Sequence, residues 1–150
     1  MPSKNWTIRK ALGSDASALT ECMQSAYRPY LARLDGAPLP PLEADYADEI
    51  RSSEVWIAEV GGRLVGGLVL EPHGDHLKIA NVAVHADCQG NGLGRGLMDF
   101  AESEARQRGY TELRLATHAL LAENVSLYRH LAWTEEARDA VRVHMIKRLE

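Results

Sequence analysis

Residues 82–98 read Val-Ala-Val-His-Ala-Asp-Cys-Gln-Gly-Asn-Gly-Leu-Gly-Arg-Gly-Leu-Met. An apolar β-type run, Leu77–Val84, leads into the stretch and ends at His85. Glycine then takes every second position: Gly90, Gly92, Gly94 and Gly96. From there Leu93, Leu97, Phe100, Ala101 and Ala105 recur at helical spacing. The order is strand, glycine-rich turn, helix. Glycine has no Cβ, so such a backbone turns tightly and approaches a ligand closely. The first helical turn adds unpaired N–H groups and a partial positive charge. Together they form an anion site suited to phosphate.

Two common phosphate motifs fail here. The dinucleotide pattern G-x-G-x-x-G needs glycine where Arg95 or Leu97 stands, and no Gly-Lys-Ser/Thr closes a P-loop. The pattern that fits is Gln89-x-x-Gly92-x-Gly94. It resembles the acyl-CoA pyrophosphate loop, Q/R-x-x-G-x-G/A, of the GCN5-related N-acetyltransferase (GNAT) family.

Working outward from that loop, two β-rich runs, Val55–Val60 and Leu64–Leu70, flank Gly61-Gly62-Arg63 and predict a hairpin. A second turn at Pro72-His73-Gly74-Asp75 returns the chain to Leu77–Val84, which completes an antiparallel meander. Upstream, Trp6–Lys10 reads as a strand and Ser14-Asp15 as a helix start. Ala16, Leu19, Met23, Ala26, Tyr27 and Tyr30 fall on one helical face. The two tyrosines either pack in the core or line an acceptor pocket. Residues 35–42 carry three prolines and read as a loop, with helical pattern resuming over Leu42–Ile50.

Downstream, the helix ends at Gly109. Tyr110–Thr117 reads as a strand parallel to Leu77–Val84, because strand, helix and strand follow in close order. Glu123–Leu131 reads as a short helix, and Trp133–Arg138 and Val141–Lys147 as a final strand pair. This order predicts an α/β domain with a central mixed sheet and helices on both faces.

The final helix carries a second constellation. Asn124 and Tyr128 lie four residues apart and share a face. Taken alone, Asn124 caps the helix and Tyr128 packs inside with its hydroxyl bonded. However, Glu123-Asn124-x-x-Leu127-Tyr128-x-x-Leu131-x-Trp133 is similar to the family's second signature, E-N-x-x-L-Y-x-x-L-G-[FYW]. The resemblance spans roughly residues 55–148. It implies one GNAT-like domain over residues 1–150 with a mostly antiparallel sheet. It implies acetyl transfer from acetyl-CoA to a primary amine, carried by a small molecule or a peptide.

By resemblance, Gln89, Gly90, Asn91, Gly92, Leu93, Gly94 and Arg95 hold the pyrophosphate. Val82, Ala83 and Val84 pair with the pantetheine amides like an added strand, and the thioester enters a gap where the fourth and fifth strands splay. The Val84 N–H faces the carbonyl oxygen, Asn124 helps hold the cofactor, and Tyr128 is the general acid. A phenol, with a reference pKa of about 10, holds its proton at neutral pH. The base is left open among Asn81 acting through water, Glu71, His76, His85 and His118. Family members often form homodimers.

Three positions depart from the family pattern. Ala132 replaces glycine, which implies either a backbone that avoids φ > 0 or an altered turn. Ala86 replaces a common proline. Lys78 stands where some members carry a catalytic glutamate. An acyl-CoA-binding sensor of the same fold, with no turnover, is the alternative.

Composition narrows the partners. The 150 residues carry 17 basic and 21 acidic side chains, a net charge of −4, with no basic patch for nucleic acid. Cys22 and Cys88 lack metal spacing. His73, Asp75 and His76 lack a third good ligand, so no metal is expected. The chain shows no signal peptide and no apolar run of membrane-spanning length, which reads as cytoplasmic with no membrane partner.

Overall fold

The computed structural model describes residues 6–34 and 39–149. Its elements are β1 (Trp6–Lys10), α1 (Ala16–Tyr27), α2 (Pro40–Glu43), α3 (Tyr46–Ser52), β2 (Glu54–Val60), β3 (Arg63–Pro72), β4 (Leu77–Val84), α4 (Leu93–Gln107), β5 (Glu112–His118), α5 (Ala122–His130), β6 (Thr134–Arg138) and β7 (Arg142–Arg148). The seven strands form one sheet in the order β1-β2-β3-β4-β5-β7-β6. The β4–β5 ladder is parallel, whereas β1–β2, β2–β3, β5–β7 and β6–β7 are antiparallel. The expected mixed, mostly antiparallel sheet is therefore observed. No helix among the described residues is long and apolar enough to cross a membrane.

The chain packs as two compact units, one of residues 1–70 with 81–100 and one of 71–80 with 101–150. In the first, Gly61 and Gly62 take φ of +56° and +83°. Two successive positive φ values make the tight hairpin turn whose twist matches the flanking strands. The neighbouring pair Gly66-Gly67 does different work. A Cβ on Gly67 would stand 2.6 Å from Leu19 Cδ1 of α1, and one on Gly66 would stand 3.1 Å from Leu97 Cδ1 of α4. Two adjacent bare positions on one strand thus admit a helix onto each face of the sheet. The core of this unit joins Leu19, Cys22, Met23 and Ala26 of α1 to Val55, Ile57, Leu64, Val69 and Ala83.

The β2–β3 ladder shifts register between Ala58 and Glu59, opposite Gly66 and Leu64, so Val65 bulges. The Val65 carbonyl accepts from the His85 N–H at 2.8 Å, which ties down the end of β4.

In the second unit the parallel ladder comprises Leu77↔Leu113, Lys78↔Arg114 and Ile79↔Leu115. Strand β4 runs on to Val84 and β5 to His118. Leu77, Ile79, Ala101, Ala105, Leu113, Leu115, Leu121, Val125, Trp133, Val143 and Met145 are buried. Helix α4 ends in a turn with Gly109 at φ +82°, as its position in the sequence implied.

Several expectations need correction. Helix α1 begins at Ala16, after a 3₁₀ turn over Gly13–Asp15, and ends at Tyr27. Tyr30 lies in the following 3₁₀ turn, Arg28–Arg33, and not on the α1 face. Of the proline-rich segment expected to be a loop, residues 35–38 lie outside the described residues. Pro40 and Pro41 instead open the short helix α2, because proline's fixed φ suits the first helical turn, where no N–H is needed.

The turn after α5 is not altered. Ala132 takes φ +74°, the one positive φ at a non-glycine among the described residues. Its N–H donates to Arg129 O at 3.1 Å, and Trp133 N–H donates to Tyr128 O at 2.9 Å. These two bonds define a Schellman ending, which imposes the left-handed conformation on whatever residue stands there.

Candidate active site

Strand β4 ends against Val65, and a 3₁₀ turn over Ala86–Cys88 follows. Ser25 Oγ of α1 accepts from Ala86 N–H at 3.0 Å, and His85 Nδ1 accepts from Asp87 N–H at 3.2 Å. Arg63 Nη2 lies 3.2 Å from Asp87 Oδ2. Gln89 turns back and donates through Nε2 to the Val84 carbonyl at 3.1 Å. The loop is therefore anchored at both shoulders before the glycines begin.

Only two of the four alternating glycines need left-handed backbone: Gly90 at φ +86° and Gly92 at φ +82°. The first bond of α4 runs from Gly96 N–H to Gly92 O at 2.9 Å. The amides of Leu93, Gly94 and Arg95 precede that bond, so by position they have no partner inside the helix. Gln89, Gly90, Asn91, Gly92 and Arg95 are exposed, Gly94 is half-buried and Leu93 is buried. Open amides and positive helix dipole thus meet at an exposed turn, the arrangement that binds anions.

Gly96 serves packing instead. A Cβ there would stand 2.9 Å from Trp6 Cζ2 of β1. The indole of Trp6 thus lies against the first turn of α4, a contact no local sequence signal announces.

Upstream on β4, Tyr27 Oη lies 2.7 Å from the Val82 carbonyl and 2.8 Å from Asn81 Oδ1. Asn81 Nδ2 donates to Tyr46 Oη at 3.3 Å, and Tyr46 donates to the Pro41 carbonyl. Burial pushes the Tyr46 phenol above its ordinary pKa even against the Asn81 bond. Tyr27 is therefore a polar contact of the strand end as well as a packing residue. Burial likewise pushes the Cys22 thiol up to about 12, which leaves it inert as a nucleophile. Both cysteines are free.

In the second unit, Asn124 sits in the first turn of α5, whose N-cap is Leu121, so it is not the cap. Its Nδ2 lies 3.5 Å from Thr117 Oγ1 near the end of β5. Tyr128, one turn later, has its ring centroid 6.1 Å from that of buried Trp133.

The base candidates are mostly engaged elsewhere. His118 Nδ1 accepts from Leu120 N–H at 3.1 Å, and His76 Nδ1 lies 2.7 Å from Asp75. Glu71 faces His73 at 3.7 Å and Lys78 at 4.0 Å. Among the described residues no three His, Cys, Asp or Glu side chains form a metal-ligand group.

The model of the acetyltransferase (GNAT) family matches residues 18–133. N-acetyltransferase 8 of Mus musculus is 28% identical over 112 residues, which cover 67% of this chain and 49% of that protein. The chain spans about half the length of the curated relatives it matches. The PaiA N-acetyltransferase of Thermoplasma acidophilum, solved with coenzyme A, superposes with a TM-score of 0.81 at 18% identity, covering 95% of this chain and 98% of that one. The ribosomal-protein-S18-alanine N-acetyltransferase of Escherichia coli superposes with a TM-score of 0.78 at 21% identity, covering 97% and 94%. At those identities the likeness is one of fold. The family match covers most of the chain, including the glycine turn and the helix that bears Tyr128. This chain belongs to the acetyltransferase (GNAT) family.

Proposed function

We propose that the protein binds acetyl-CoA and transfers its acetyl group to a primary amine. The observation that carries this reading is the exposed turn at Gly90 and Gly92, after which the amides of Leu93, Gly94 and Arg95 precede the first bond of α4 and have no partner inside the helix. Family membership and the coenzyme A in a neighbour of the same fold support it.

In this reading Gln89 through Arg95 hold the pyrophosphate, and Val82, Ala83 and Val84 offer backbone to the pantetheine. Asn124, held toward Thr117, steadies the cofactor near the end of β5. The amine must stand neutral within about 3–3.5 Å of the thioester carbon, and such positioning contributes up to roughly 7–11 kcal/mol. The nitrogen lone pair forms the new C–N bond, the C–S bond breaks, and the proton from nitrogen leaves to the base. The Val84 N–H stabilises the carbonyl oxygen as it gains charge. Tyr128 gives its proton to the departing thiolate and is reprotonated from solvent.

Thermal stability with acetyl-CoA, CoA and NADH tests the cofactor, and thiol release in an amine screen tests turnover. A ligand at about 100 times its dissociation constant adds roughly 2.7 kcal/mol. The expected result is stabilisation by both CoA species and not by NADH, followed by thiol release. Stabilisation without release from any amine would favour the sensor, and no stabilisation by either CoA species would refute the loop assignment.

A further inference from the structure

A cavity of about 310 Å³ opens within the second unit, on one face of β4, β5, β7 and β6. That volume is at the lower end of the range for small-molecule sites, about 300–1,000 Å³. Three features of its wall point to a ligand.

Lys78 and Arg114 are directly opposed across the parallel ladder, so two cations share one face. Like charges placed opposite each other destabilise a sheet. Each keeps hydrogen-bond donors that no described residue takes. Among the described residues Lys78 has only Glu71, at 4.0 Å. Arg114 binds Glu112 through Nε alone, and its nearest other carboxylate, Glu136, is 4.0 Å from Nη1. The two terminal nitrogens of the guanidinium are therefore left as an open fork, the geometry that takes a carboxylate.

The second feature is a hollow next to the cations. Ala116, Ala137 and His144 line it, with buried Ile146, the ladder partner of Arg114, as an apolar wall. The third is a register shift in β6 between Glu135 and Ala137. It makes Glu136 the bulge residue, and bulges re-aim side chains beside functional sites. Here the bulge residue's carboxylate stands 4.0 Å from Arg114 Nη1, and both residues line the cavity. The remaining charges are accounted for: Glu112 also holds Arg148 at 3.2 Å, and Asp75 holds His76 at 2.7 Å.

We infer that this cavity takes a small carboxylate with an apolar body, held by Lys78 and the Arg114 fork. Resting on the acetyltransferase reading, the ligand that fits is an acceptor of α-amino-acid type, recognised through its carboxylate. Ala116 lines the cavity and adjoins Thr117, the residue to which Asn124 is held, so the docking surface and the second signature share one end of β5.

The test uses matched probes: L-leucine, L-methionine and L-phenylalanine against isoamylamine, 3-(methylthio)propylamine and phenethylamine. Binding is read by saturation-transfer NMR, which needs no turnover, and reaction by thiol release from acetyl-CoA. At least one amino acid is expected to bind and react with KM at least tenfold below that of its decarboxylated partner. Lys78→Ala is expected to erase that preference, and Ala116→Leu, which fills the hollow and leaves every charge in place, to abolish amino-acid binding while CoA stabilisation is unchanged. Equal use of both members of every pair, binding of none of the amino acids, or wild-type behaviour of both variants would overturn the inference. If CoA binding and thiol release persist without carboxylate preference, the cavity assignment alone falls. If amino acids bind through Lys78 but no CoA species does, the acetyltransferase reading falls and the cavity stands.

Discussion

Replacing Ala132 by glycine is expected to stabilise the protein. Ala132 is held at φ +74° by the bonds Ala132 N–H to Arg129 O and Trp133 N–H to Tyr128 O. Left-handed backbone costs an L-residue with a Cβ about 1–2 kcal/mol. Glycine removes that cost but restores freedom to the unfolded chain, worth about 0.4–1 kcal/mol in the opposite direction. Ala132 is exposed, so no packing is lost. The balance is a gain of about 0.5–1 kcal/mol, which in a domain of this size raises Tm by roughly 1–4 °C. Ala122→Gly at the other end of α5, also exposed, has the opposite sign, because there glycine only adds unfolded-state entropy. Urea and thermal unfolding of both variants, with equal m-values, supply the measurement. A loss of stability in Ala132→Gly would refute the reasoning, since it would mean that the turn is not left-handed.

Four further outcomes are expected. Tyr128→Phe lowers kcat by about 10²–10⁴-fold, the usual contribution of a positioned general acid, with CoA stabilisation retained; unchanged turnover would remove Tyr128 from the mechanism. Gly92→Val abolishes CoA stabilisation, whereas Gly109→Val, at the same φ of +82° but in the turn after α4, carries the same backbone cost and keeps it; equal behaviour of the two would mean that strain, not the loop, is being read. Gly67→Val forces a side chain onto Leu19 and Met23 and destabilises by about 1–3 kcal/mol or more, read by urea unfolding. Asp15 is held below its usual pKa by the Arg9 guanidinium at 2.8 Å and, against some burial, by the Leu12 N–H at 2.7 Å. A depressed folded pKa contributes stability that is present above the unfolded value of about 3.9 and lost as pH falls through the folded value. Asp15→Asn therefore lowers Tm by a few degrees at pH 7, and the gap to wild type closes below about pH 4; a gap that persists at pH 2 would show that the ion pair is not its source.

The fold was legible wherever a local rule decides it. Gly61-Gly62 between β-rich runs marks a hairpin because two positive φ values suit almost no other residue. The β4-to-α4 turn, the stop at Gly109 and the helix bearing Asn124 and Tyr128 follow from glycine spacing and from the 3.6-residue period. The readings that missed were also local, but here a second rule competed. Proline breaks a helix in its interior yet starts one at its first turn, and so residues 40–43 became α2. Ala132 was judged on the preference of its own side chain, while the two Schellman bonds outweighed that preference.

The sequence by itself determined the order of elements, the glycine-rich turn with Gln89, Gly92 and Gly94, and the pairing of Asn124 with Tyr128 on one helical face. Each depends on residues within a few positions of one another, where backbone stereochemistry and helical period act directly. Only the tertiary structure decided which distant residues meet. It set Trp6 against Gly96 and Tyr27 against Asn81 and Val82. It opposed Lys78 to Arg114 beside a hollow left by two alanines, and a bulge set Glu136 beside Arg114. Strand register creates these contacts. Slipping a strand by one residue moves every side chain to the other face, and that choice is made by the packing of the whole sheet rather than by any local stretch of chain.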